Sequence, residues 1–171
     1  MEKLVLKNIF ARMVADKAEQ IIPTPSVAKD AAILIVDDSR TVVHALQLIL
    51  ERAGYTTYSA AEGIQGVSMA RRHRPDAILM DVVMPIMNGF EATRILVNDP
   101  LTAAIPVIMM SGTEQVSDRI WGTRLGAKAF IAKPFAKDDL LAKLDSVIAS
   151  ARRKQDQDRT LAAASTDSRS P

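Results

Sequence analysis

Five short, nearly continuous apolar runs, each followed by a segment of helical periodicity, restrict what this chain can fold into. The runs are AAILIV (31–36), YTTYSA (55–60), DAILMD (76–81), IPVIMMS (105–111) and AKAFIA (127–132). Strands that are apolar on both sides are characteristic of a parallel sheet covered on both faces, whereas half-exposed strands alternate. Between the first two runs, Val42, Val43, Leu46, Ile49, Leu50 and Ala53 share one helical face, which Gly54 closes. Asp38 or Ser39 is placed to cap that helix. Further helices are expected over Gly63–His73, ending before Pro75, then Phe90–Val97 and Gln115–Leu125. A last one runs from Ala136 to about Ser150, with Leu140, Leu141, Leu144, Val147 and Ile148 inward. The alternation predicts an α/β fold: a parallel five-stranded sheet with helices on both faces, occupying residues 31–150.

The flanks read differently. In residues 1–30, Leu6, Ile9, Phe10 and Met13 form a short amphipathic stripe, and Pro23 and Pro25 mark a linker. Residues 151–171 are rich in Arg, Asp, Ser and Ala, and a disordered tail is expected there. The chain has no cysteine, which excludes disulfides and thiolate chemistry. His44 and His73 lack a metal-ligand spacing. A net charge of +2, spread without a basic stripe, gives no footprint for direct DNA binding. No apolar run is long enough to span a bilayer and no signal-peptide core precedes the domain, so a cytoplasmic protein is expected.

In a parallel α/β sheet, functional residues gather beyond the carboxyl ends of the strands. Here the first strand is followed by Asp37 and Asp38, the third ends in Asp81, the fourth in Ser111, and Lys133 follows the fifth. Three carboxylates brought to one edge repel one another. A hard divalent cation relieves that repulsion, and an all-oxygen donor set suits Mg²⁺. Asp81 then has the chemistry of a carboxylate nucleophile toward phosphorus. The metal and Lys133 would neutralise the equatorial phosphoryl oxygens, and the Ser111 hydroxyl would donate to one of them. A lone Asp at a strand end is ordinarily a helix cap, and a lone Ser a turn residue. Chance supplies the joint arrangement, at four of five strand ends, poorly.

ILIVDDSR, LMDVVMPIMNGFEAT, VIMMSG and GAKAFIAKPF together resemble the receiver domains of two-component response regulators. The resemblance covers residues 31–150 and implies a (βα)5 flavodoxin-like fold. It makes Asp81 the phospho-acceptor, with Mg²⁺ held by Asp38 and Asp81, by Asp37 mostly through water, and by the backbone carbonyl of Val83. Ser111 and Lys133 fall at the hydroxyl and lysine positions of the family, and Phe130 at its switch aromatic. The phosphodonor would be a sensor histidine kinase. MDVVMPIMNGFEATR, AIPVIMMS and SDRIWGTRLGAKAFIAKPF, with Trp121 and Gly122, are also similar to the single-domain receivers of type IV pilus twitching motility. Asn88 stands where many receivers carry Asp, and Gly112 where Ala is usual.

After the last helix only some 20 residues remain, too few for an output domain. The expected output is therefore a protein–protein contact, not an enzymatic reaction beyond the protein's own phosphorylation and dephosphorylation. By the resemblance, the contact uses the face of the fourth helix, fifth strand and last helix. The N-terminal stripe offers a second docking or self-association element. The alternative is a receiver acting as a phosphate sink, or as an unphosphorylated binding module. A hydrolase of the haloacid dehalogenase type would need Asp two residues beyond Asp37, where Ser39 stands.

Overall fold

The computed structural model describes residues 31–112 and 122–167. Five strands are present, β1 (Ala32–Val36), β2 (Thr56–Ala60), β3 (Ala77–Asp81), β4 (Val107–Ser111) and β5 (Ala129–Ala132). The helices are α1 (Arg40–Arg52), α2 (Gly63–His73), α3 (Gly89–Asn98) and α4 (Lys137–Asp167). All strand pairs are parallel, in the order β2-β1-β3-β4-β5. This is the five-stranded, doubly covered sheet expected from the alternating pattern. The expected helix over Gln115–Leu125 lies mostly outside the described residues, as does Trp121; residues 122–124 are helical. The N-terminal stripe also lies outside them.

Period-two alternation sends successive strand side chains to opposite faces and so splits the core into two layers. On one face Ile33, Ile35, Leu79, Ile108 and Met110 pack against Leu46, Ile49 and Leu50 of α1 and Leu140, Leu144 and Ile148 of α4. On the other, Leu34, Val36, Met80 and Met109 meet Val67 and Ala70 of α2 and Ala92 and Leu96 of α3. β3 and β4 are buried along their whole length, which explains their unbroken apolar runs. The small residues of α2 have a packing purpose, since a Cβ on Gly66 would fall 2.8 Å from Val36.

One expectation is corrected. α4 does not stop near Ser150; it continues to Asp167, where a disordered tail from residue 151 was expected. Its exposed continuation buries almost nothing, so the sequence shows no apolar period there. The segment is nonetheless rich in Ala, Arg, Lys, Gln and Leu and holds neither Gly nor Pro before Pro171. Intrinsic propensity favours helix in such a stretch. Opposite charges four residues apart, Arg152 with Asp156 and Lys154 with Asp158, add to it.

The start of α3 is held close against the end of β3. Asn88 and Glu91 form a reciprocal capping box: Asn88 Oδ1 accepts from the Glu91 amide (2.9 Å), and the Asn88 amide donates to Glu91 Oε2 (3.0 Å). The Gly89 amide donates to the Val82 carbonyl at 3.0 Å, and a Cβ on Gly89 would lie 2.2 Å from the Asp81 carbonyl oxygen. Only glycine permits this approach, because the obstacle is backbone and cannot rotate away. Gly89→Ala is expected to lower unfolding stability by roughly 1–3 kcal/mol through overpacking. Urea unfolding of the two proteins measures it, and equal midpoints would contradict the close approach.

Candidate functional site

The strand order reverses between β1 and β3, which leave their helices on opposite faces and open a crevice at their carboxyl ends. Asp37 follows β1 and Asp81 ends β3, so the crevice is flanked by carboxylates. Asp37 belongs to a turn that also starts α1. Its Oδ1 accepts from the Ser39 amide at 2.9 Å, and Ser39, not Asp38, is the N-cap, its hydroxyl accepting from Val42 at 3.5 Å. This leaves Asp38 exposed at the mouth of the site.

Lys133 enters from β5. Its Nζ donates to Asp37 Oδ2 at 2.7 Å and to Asp81 Oδ1 at 3.0 Å. All three side chains are buried: 7% of Lys133 is exposed, none of Asp37 and 3% of Asp81. Removing charges from water is unfavourable unless they are paired. Asp37, Asp38 and Asp81 each bring a carboxylate oxygen within 4.8 Å of the others, and Lys133 pairs with two of them. Among the described residues, three carboxylates facing one ammonium leave an excess of negative charge, which a divalent cation would balance. The donors are all oxygen, so the residues present fit a hard ion such as Mg²⁺.

The other residues singled out in the sequence stand as follows. Ser111 is buried at the end of β4, between β3 and β5, and its carbonyl accepts from the Lys133 amide at 2.6 Å. Val83 lies in the loop two residues beyond Asp81. Phe130 is on β5, opposite Met109 in register, and half-buried against the α2/α3 side of the core. A Cβ on Gly122 would touch its ring at 2.9 Å. Because Ser111 pairs with Ala132, Ser111 and Phe130 project from the same face of the sheet. Asp37, Asp81 and Lys133 thus gather with Asp38, while Ser111 and Phe130 form a neighbouring pair on the face of α2 and α3.

Two further features shape the site loop. The Asn88–Glu91 capping box was legible from its spacing. The conformation of Ile86 was not: φ is 67° and the residue is 83% exposed, a left-handed backbone rarely adopted by a β-branched residue.

A family model described as the response regulator receiver domain matches residues 33–145. Protein PilH of Pseudomonas aeruginosa is 45% identical over 119 residues, which is 70% of this chain and 98% of that relative. The chain spans about half the length of other curated relatives it matches. Among solved structures, the chemotaxis protein CheY4 of Vibrio cholerae is 32% identical with a TM-score of 0.66, over 68% of this chain and 98% of that one. The receiver domain of a sensor histidine kinase from Pseudomonas aeruginosa is 31% identical with a TM-score of 0.66, over 71% of this chain and 99% of that one. That domain holds a magnesium ion in its active-site cleft. By family match, identity and fold, the chain belongs to the CheY-like receiver domains of two-component response regulators.

Proposed function

We propose that this receiver is a phosphorylation switch in which Asp81 accepts a phosphoryl group from the phosphohistidine of a sensor kinase. The observation that carries the reading is the buried Lys133 ammonium shared between Asp37 and Asp81, with Asp38 beside them. An Asp81 carboxylate oxygen attacks phosphorus, a P–O bond forms as the P–N bond of the donor breaks, and the released imidazole nitrogen keeps the electron pair. Asp37, Asp38 and Asp81, with the Val83 carbonyl, would hold Mg²⁺, which supplies charge neutralisation for the transferring group. Lys133 gives a second positive charge, fixed before the donor arrives, and Ser111 donates its hydroxyl to a phosphoryl oxygen.

The added charge is read out through the Ser111–Phe130 pair. Ser111 moves toward the phosphoryl group and Phe130 turns into the space it leaves, altering the surface of β5 and α4. A groove of about 720 Å³ already lies there, lined in part by Lys128, Phe130, Asp139, Lys143 and Val147. The output is the binding of a protein partner on this face. The likeness to PilH, together with the twitching-motility resemblance in the motifs, supports a pathway in type IV pilus signalling.

Incubation with acetyl phosphate and Mg²⁺ is expected to add one phosphoryl group by intact mass, and EDTA or Asp81→Asn to abolish the gain. An equal gain in Asp81→Asn would overturn the assignment. Lys133→Ala should keep Mg²⁺ binding but slow phosphorylation by roughly 10²-fold, the usual effect of deleting one fixed electrostatic contact. Single-turnover rates at saturating Mg²⁺ test this, and an unchanged rate would leave Lys133 a structural residue only.

A further inference from the structure

The base of the sheet, opposite Asp81, joins the two flanks of the chain. The segment before residue 31 enters at β1, and α4 leaves the sheet near Arg152. Asp76 ties these points together: its Oδ2 accepts from the Ala32 amide at 2.9 Å and its Oδ1 from Arg152 Nη2 at 2.8 Å. Beside this junction lie two adjoining depressions of about 440 and 200 Å³ that share Ala104, Pro106, Ala151 and Gln155. Val147 and Ile148 extend the apolar floor along α4. From Arg152 onward α4 projects by about 22 Å at 1.5 Å per residue. It presents Leu161, which is 70% exposed.

An apolar stripe of matching kind is carried by the same chain. Leu6, Ile9, Phe10 and Met13 recur at helical spacing, and residues 14–30 connect that stripe in sequence to the start of the described chain. A connection of that length has a typical span of about 23 Å, enough to reach the depressions beside the junction. We propose that residues 6–13 dock in cis into this groove, against Ala104, Pro106 and Ala151 and along α4. Tethering gives the segment an effective concentration of order millimolar at the groove. A second copy of the chain would have to reach that concentration to compete, and this favours the chain's own segment as occupant.

Hydrogen exchange on the full-length chain tests the proposal. Ile9→Asp with Phe10→Asp is expected to speed exchange roughly tenfold in residues 151–163 and 103–105, leaving β1 and β3 unchanged. Ala104→Arg, which fills the groove from the other side, should produce the same loss. Because the chain has no cysteine, a Phe10→Cys, Ala104→Cys pair should close a disulfide within one monomer. Unaltered exchange in both sets of variants would overturn the proposal. A disulfide formed only between two copies would assign the groove to a second molecule and overturn it equally.

Discussion

Lys133 reaches across the end of β4 to place one ammonium between the carboxylates of Asp37 and Asp81, at 2.7 and 3.0 Å. β5 is not a neighbour of β3, and β1 is further still. At about 4.8 Å between strands, the gap from β5 to β3 is near 10 Å. A short cationic side chain could not cross it, whereas the flexible four-carbon stem of lysine can. The contact therefore depends on the order β1-β3-β4-β5. Displacing β1, β3, β4 or β5 would separate that ammonium from the buried carboxylates it pairs with, which is strongly unfavourable.

The two layers of the core give that contact its rigidity. Ile35, Leu79 and Ile131 lead into Asp37, Asp81 and Lys133 on the α1/α4 side. Met109 and Phe130 occupy the other side with Ser111. Charge chemistry and the aromatic element thus sit on opposite faces of one sheet edge, joined through β4 and β5 backbone, where the Lys133 amide donates to the Ser111 carbonyl. The loop between β3 and α3 is held by the Asn88–Glu91 box and by Gly89, while Ile86 at its tip keeps an unfavourable backbone conformation. Such outliers concentrate in functional loops.

The two ends of the sheet differ in character. Its carboxyl edge holds the charged site, and its base holds the Asp76 junction, the groove and the projecting part of α4. A segment seated at the base would leave the carboxylate edge uncovered. It would also cover part of α4, whose other turns line the groove at β5.

Much of this was written in the residue order. The alternation of apolar runs determined the number and parallel arrangement of the strands, because burial on both faces admits no polar alternation. The strand-end rule then selected Asp37, Asp38, Asp81, Ser111 and Lys133, since a residue's position along its own strand is local information. What lay beyond reach is non-local or weakly patterned. The length of α4 was hidden because its exposed half is held by propensity without an apolar stripe. The need for Gly89 became visible only when the start of α3 was packed against the Asp81 carbonyl. The pairing of Lys133 with both Asp37 and Asp81, 96 and 52 residues away in the chain, is likewise a property of the assembled sheet. Sequence spacing fixes which face and which end a side chain occupies, but only tertiary packing fixes which distant group it meets there.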